Sequence, residues 1–432
     1  MTELFNPVII SVIVMITLCL MSLNVMLAIL IAALVAGLTG GFTLTDTMQL
    51  LIKGMGGNAE TALSYVLLGA LAVAINKTGA AAVMAQRIAL MVGKSKMILL
   101  LVITLLACFS QNLVPVHIAF IPILIPPLLP LMDRLKLDRR AVASSLTFGL
   151  TAPYIVLPVG FGLIFQNLIK DQMIANGISV DISMIWQSMW LPGLGMLVGL
   201  LFAVLISYKK KRVYREEVAV VNTEKISLKP AHYWTLLAAI LAFAIQLLTG
   251  SLPLGALAGL LVMFFSRAIN RKELEEVMHD GVGVMGFIAV VMLVAAGYAG
   301  VIRETHAVEG LVSSITQLVG ASKLGGAMLM ILIGLFVTMG IGTSFGTVPI
   351  IATIYCPLGL ELGFSTAGII ALIGVAGALG DAGSPASDST LGPTSGLAAD
   401  GQHDHIWDTC VPTFLHYNIP LVIFGVIASL VL

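Results

Sequence analysis

Residues Gly380 to Gly396 read Gly-Asp-Ala-Gly-Ser-Pro-Ala-Ser-Asp-Ser-Thr-Leu-Gly-Pro-Thr-Ser-Gly: two acids, six hydroxyl residues, two prolines and four glycines in one short stretch. Proline removes a backbone donor and breaks a helix. Glycine lets backbone approach a ligand. The freed carbonyls, the hydroxyls of Ser384, Ser387, Ser389, Thr390 and Thr394, and the carboxylates of Asp381 and Asp388 are hard oxygen donors that suit a small cation. Either carboxylate could hold sodium, carry a proton or pair with a substrate ammonium; the bland alternatives are a helix cap or an external loop. A carboxylate inside a membrane segment is costly and points to function.

A second polar interruption is Ser110-Gln111-Asn112-Leu113-Val114-Pro115-Val116-His117, and a third is Gly342-Thr343-Ser344-Phe345-Gly346-Thr347-Val348-Pro349. Each lies between two apolar arms too short for a comfortable crossing, which reads as a re-entrant hairpin with a polar tip. The alternative is a pair of ordinary helices joined by a surface turn. Candidate contacts at the tips are Ser110, Gln111, Asn112, His117, Thr343, Ser344 and Thr347. Thr151-Ala152-Pro153-Tyr154, leading to Pro158-Val159-Gly160, breaks another apolar run and adds Thr151. A sodium ion shared by Asn112, Ser344 and Asp388 is the cation site this reading predicts. Asp400-Gly401-Gln402-His403-Asp404-His405 is a further polar cluster, read as a membrane-edge loop, a proton-handling site or, least well, a metal site.

Gly342 to Gly346 also matches GxSxG, but that motif works on a strand-to-helix turn and none is predicted. An intramembrane aspartyl protease carries GxGD, which the residues leading to Asp381 do not match. A passive channel is the remaining alternative. No catalytic residue and no cofactor beyond a coupling ion is expected.

The elements that must position these residues are membrane helices. Hydrophobic residues make up 59% of the 432, charged residues 10%, and the net charge is zero. Soluble domains carry about 25% charged residues. This composition excludes a cytosolic enzyme, a nucleic-acid binder and a disordered scaffold. The four cysteines are scattered through apolar segments without metal-ligand spacing. The first residues lack a positive stretch, so a cleaved signal peptide is not expected.

Apolar segments are expected at 8–21, 23–41, 60–76, 97–112, 114–131, 141–166 and 190–207, then at 234–249, 253–268, 283–302, 325–341, 345–360, 366–397 and 411–431. The halves resemble each other at a spacing of 227. Gly54 and Gly56 fall on Gly281 and Gly283, and Val92-Gly93-x-Ser95-Lys96 falls on Val319-Gly320-x-Ser322-Lys323. The expected organisation is an N-terminal repeat over 1–207 (hairpin near 97–131, broken helix 141–166), a basic linker over 208–232, and a C-terminal repeat over 233–432 (hairpin near 325–360, broken helix 366–397). Eighteen of the 22 lysines and arginines lie in four stretches, 77–96, 132–140, 208–232 and 266–273, that one side of the membrane can share. Equivalent loops of the halves have opposite basic bias. The repeats are therefore expected to be inverted, with both termini outside and the linker in the cytoplasm.

The sequence GDAGSPASDSTLGPTSGLAADGQHDHI, Gly380 to Ile406, resembles the NhaC-type sodium/proton antiporter families of the ion transporter superfamily. Within them it is most similar to the YuiF-type branch, often described as histidine or amino-acid permeases. The resemblance covers nearly the whole chain. It implies an all-α polytopic fold of two inverted repeats, each giving a re-entrant hairpin and an unwound helix to a mobile transport domain. It also implies a commonly dimeric scaffold and elevator-like transport. The Ser-Asn-Thr tips of the superfamily's dicarboxylate carriers are replaced by Ser110-Gln111-Asn112 and Thr343-Ser344, and no Arg or Lys stands at either tip, which weighs against a dianionic solute. The function expected is a cation-coupled secondary transporter of the bacterial inner membrane, either a sodium/proton exchanger or a sodium- or proton-coupled amino-acid permease. Its partners are then an ion or small solute, lipid and a second copy of the chain, with no nucleic acid.

Overall fold

In lipid a backbone must satisfy its own polar groups, so apolar runs fold as helices. The computed structural model describes residues 6–21, 23–80, 83, 87, 92–93, 95–112, 117–159, 161–215, 229–249, 251–307, 322–341 and 344–432, and among them it is all-helical. The first half holds α1 (Pro7–Leu20), α2 (Val25–Thr39), α3 (Leu44–Met55), α4 (Ala59–Lys77), α5 (Lys96–Asn112), α6 (His117–Arg134), α7 (Arg139–Val156), α8 (Phe161–Ala175) and α9 (Ile182–Phe202). The second half holds α10 (Pro230–Thr249), α11 (Leu252–Phe265), α12 (Arg271–Glu304), α13 (Lys323–Ile341), α14 (Ser344–Glu361), α15 (Thr366–Ala378), α16 (Asp388–Leu397) and α17 (Ile419–Val431). Among the described residues, four helical spans are long and apolar enough to cross a membrane on their own, five if the bent pair α7–α8 is counted as one span.

The 227-residue spacing recurs in the helix caps. Thr43 caps α3 and Asn270 caps α12; Asp138 caps α7 and Ser365 caps α15. Each side-chain oxygen accepts a first-turn backbone N–H that would otherwise be orphaned. The turns repeat too. Lys136 (φ 51°) and Gly363 (φ 74°) are left-handed after α6 and α14, as are Gly79 (φ 79°) and His306 (φ 50°) after α4 and α12.

Packing repeats at the same spacing. A Cβ on Gly149 would meet the Ala107 Cβ at 2.4 Å, and one on Gly334 would meet the Ala376 Cβ at 2.3 Å. These are one contact, α5 on α7 and α13 on α15, with the small residue exchanged between partners. Gly54 abuts Gly297 and Gly281 abuts Ala70 in the same way.

The helices sort into two packed groups. One joins α1–α4 with α10–α12; the other joins α5–α9 with α13–α17. The second group is centred on α7 and α15. Every residue from Gly368 to Ala378 is buried, and α15 is apolar all round as a fully enclosed helix must be.

Two expectations change in extent. The first broken helix runs further than 141–166, as α7 and α8 bent by 46° across residues 157–160. The amphipathic α3 and the polar first turns of α12 are helical although too polar to be read as membrane segments. Helix α3 is capped and carries Asp46 in its first turn and Lys53 in its last, which suits the helix dipole.

Candidate functional site

Helices α7 and α15 both stop inside the second group. Helix α15 ends at Ala378, and Gly380 (φ 89°) and Gly383 (φ 100°) then turn the chain through left-handed conformations that other residues resist. The opened backbone is held by Asn418. Its Oδ1 accepts from Gly380 N at 3.2 Å and its Nδ2 donates to Ala382 O at 2.6 Å. Asn418 lies in a π-helical turn, Phe414–Asn418, a feature frequent at functional sites.

Asp381 is the centre of the opened segment and is buried. Its Oδ2 accepts from Ser344 Oγ, the first residue of α14, at 2.9 Å, and from the Tyr154 hydroxyl in the last turn of α7. Tyr154 Oη and Ser344 Oγ are themselves 2.9 Å apart. Three hard oxygens from three segments and both repeats therefore converge. Phe161 and Phe165 pack edge-on against the Tyr154 ring and fix it. Tyr154 and Asp381 are 227 residues apart, so they occupy equivalent positions of the two repeats.

Asp388 is the first residue of α16 and is half-buried. Its charge acts on Asp381, Tyr154 and Tyr65. Tyr65 belongs to α4 in the other helix group. It is fully buried, and its hydroxyl has no hydrogen-bond partner among the described residues.

The other expected residues are placed as follows. Ser384 and Ser387 accept from Ala386 N and Ser389 N, and so shape the loop. Ser389 accepts Thr147 Oγ1 on its carbonyl. Thr390 donates to the carbonyls of Ser384 and Ser387, and Thr394 meets His405. Thr151 and Ser110 bond back to their own helices, at Thr147 O and Ala107 O. Thr347 is buried in the first turn of α14. Gln111 and Asn112 end α5 and His117 begins α6. Thr343 lies outside the described residues, as do 113–116 between the arms of the first hairpin. Of the three residues proposed for sodium, Ser344 is thus seen on Asp381, while Asp388 reaches the cluster through its charge.

Sequence reasoning did not single out Tyr65, Asn418 or the role of Tyr154. Tyr154 had one legible signal, its spacing from Asp381. Tyr65 and Asn418 had none, since their roles depend on which helices meet.

A second polar network closes the basic end of the same helix group. The Arg139 guanidinium is fully buried between Asp133 (2.9 and 3.1 Å) and Asp400 (2.6 and 2.7 Å). Tyr214 stacks on it at 4.2 Å, and the Tyr214 hydroxyl accepts from Arg139 N at 2.9 Å. Arg212 pairs with Asp408 at 2.6 Å, and Gln402 exchanges two hydrogen bonds with the Arg215 backbone. Burial pushes the Asp400 carboxyl up, but the Arg139 hydrogen bonds and charge, together with the hydrogen bonds from Gln402, outweigh it and hold the group below its usual range. Burial pushes His403 down to about 4 against the pull of Asp408.

Residues 145–426 match the family model described as the Na+/H+ antiporter family, and residues 6–92 match a second model described as a Na+-H+ antiporter family. A protein of Bacillus subtilis, YuiF, provisionally named an amino acid transporter, is 50% identical over 442 residues, covering 99% of this chain and all of the relative. Uncharacterised membrane proteins of Vibrio parahaemolyticus and Haemophilus influenzae are 51% and 48% identical over 440 and 449 residues, each covering 99% of this chain and all of the relative. Two solved transporters share 16% identity: MtrF of Neisseria gonorrhoeae (TM-score 0.41; 90% of this chain, 85% of that one) and YdaH of Alcanivorax borkumensis (TM-score 0.43; 90% and 88%).

Proposed function

The chain belongs to the Na+/H+ antiporter family, and we propose that it is a cation-coupled secondary transporter in which sodium and a proton compete for Asp381. The observation that carries this reading is the buried carboxylate, held by Tyr154 and Ser344 where the two repeats meet. A carboxylate there cannot stay charged and unaccompanied at low cost. It accepts one positive charge at a time, so binding one cation disfavours the other, and that is sufficient for exchange. Asp388 stands near enough to tune the competition electrostatically.

A second reading is a sodium- or proton-coupled amino-acid permease. The relation to YuiF favours it, and in this reading the half-buried Asp388 would face an ammonium group while Asp381 keeps the coupling ion.

The same proposal includes inverted repeats over 1–207 and 233–432, termini outside, the linker 208–232 in the cytoplasm of a bacterium, and a homodimer. Contacts between distant stretches support the sidedness. Lys96 Nζ donates to Lys136 O, and Arg212 N donates to the same carbonyl, which joins three stretches assigned inside. Lys77 pairs with Glu276 and Thr78 meets Thr235, each partner lying just beyond a stretch assigned inside. Asn6 donates to Ala307 O and Lys323 faces the Phe364 ring, joining stretches assigned outside.

The test uses sealed proteoliposomes with a trapped pH dye. A sodium gradient is imposed without organic solute, then with histidine and a panel of amino acids. Proton movement on sodium alone supports exchange; silence until one amino acid is added establishes the permease. Asp381→Asn is expected to abolish either activity while the protein stays in the membrane, and full activity in that variant overturns the assignment of Asp381.

A further inference from the structure

Beyond the cation cluster lies a line of buried polar side chains that the exchange chemistry above leaves unused. His403 sits in the loop at the basic end of the helix group and is 6% exposed. Its Nε2 is 2.7 Å from Thr409 Oγ1. Thr409 Oγ1 is 3.0 Å from Thr394 Oγ1, which is 2.8 Å from His405 Nδ1. His405 Nε2 is 3.0 Å from Pro385 O, in the opened segment between Asp381 and Asp388. The outer end is unpartnered: His403 Nδ1 is buried without a hydrogen-bond acceptor or donor among the described residues. Asp408, Arg139, Arg212 and His405 face His403; Asp404 and the Cys410 thiol, 3.5 Å away, face His405.

We propose that His403, Thr409, Thr394 and His405 form a proton relay between the basic end of the molecule and the carboxylates flanking Pro385. The proposal rests on the proton-coupled reading above. In one passage a proton adds at His403 Nδ1 and the Nε2 proton moves to Thr409 Oγ1. Thr394, which at rest donates to Thr409, turns its own proton to His405 Nδ1, and the Thr409 proton then moves to Thr394 Oγ1. His405 then releases its Nε2 proton beside Pro385, in the segment that carries Asp381 and Asp388. One proton enters and one leaves, and rotation of the hydroxyls with a tautomer change in each imidazole resets the line. Thr394 suits this role, because its single proton has three acceptors in reach: His405 Nδ1, Thr409 Oγ1 and Thr390 O at 2.9 Å. Burial keeps His403 neutral at rest, so the line carries protons without trapping them.

The experiment compares two fluxes in proteoliposomes holding the full chain. Sodium-driven proton movement needs the relay; exchange of labelled for unlabelled sodium at equal pH does not. Thr409→Val and His405→Gln are expected to slow proton movement by roughly a hundredfold, the low end for loss of a positioned proton-transfer group. Sodium exchange should stay within about twofold, and Thr409→Ser, which restores the hydroxyl, should recover the proton flux. Wild-type proton flux in both Thr409→Val and His405→Gln overturns the relay alone. Parallel loss of both fluxes, unrelieved in Thr409→Ser, assigns the line to holding the loop and also overturns it. A wild-type protein that exchanges sodium without moving protons overturns the relay and the proton-coupled reading together.

Discussion

At the scale of the residue, the decisive fact is that Asp381 has company. Two hydroxyls donate to one carboxylate oxygen, which stabilises negative charge on a buried group. A hydrogen bond to a charged group contributes about 1.5–3 kcal/mol, and about 1.4 kcal/mol is tenfold in affinity. Tyr154→Phe is therefore expected to raise the apparent KM for the coupling cation about tenfold or more with abundance unchanged. An unaltered KM would return Tyr154 to a packing role. His403 makes a second residue-scale case. Its unfolded value is about 6.5 and its folded value about 4, so between the two the unfolded chain binds the extra proton. Stability is thus lost as pH falls from about 6.5 to about 4 and levels off below. Thermal unfolding in detergent should show that fall in wild type and a shallower one in His403→Gln.

At the scale of the element, function depends on helices that stop early. Helices α7 and α15 carry their breaks into the centre of one helix group, and the segments after the breaks restart as α8 and α16 at the 227-residue spacing, Phe161 and Asp388. The breaks are tolerable because Asn418, Ser387 and Thr390 satisfy freed backbone groups. Close helix approach has the same local logic. A Cβ on Gly281 would stand 2.4 Å from Ala70 N, whereas one on Gly54 would stand 3.1 Å from Gly297 Cα. Overpacking costs about 1–3 kcal/mol. Gly281→Ala should therefore lower the thermal midpoint distinctly more than Gly54→Ala, and equal shifts would show that the α4–α12 and α3–α12 contacts yield alike.

At the scale of the whole molecule, this is a multi-pass membrane transporter, all-helical among the described residues. Its helices divide so that α1–α4 and α10–α12 pack together and the broken helices pack with the hairpin arms. The buried Arg139 network ties the start of the linker to the broken-helix group through Arg212, Tyr214 and Arg215. The proposed sidedness is checked by single-cysteine labelling of intact cells in a chain cleared of native thiols. Lys210→Cys should react only with a permeant reagent, while Lys53→Cys and Lys323→Cys should react with an impermeant one. Reaction of all three from outside would refute the inverted arrangement.

Much of this was legible in the residues alone. Lipid admits few solutions, so composition and segment length determined an all-helical membrane fold, and the spacing of glycines and the Val-Gly-x-Ser-Lys pair disclosed the duplication. Two acids among prolines, glycines and hydroxyls marked where helices break, because those residues are costly in an intact apolar helix. The tertiary structure alone decided which oxygens share a ligand. Tyr154, Ser344 and Asp381 lie on three segments, with as many as 227 residues between partners, and only the packing of α14 against α8 and α15, with α7 beside them, makes them one cluster. The line from His403 to His405 is a similar case. Its members are close in sequence, but the fold sets their hydroxyls and ring nitrogens within hydrogen-bond reach of one another.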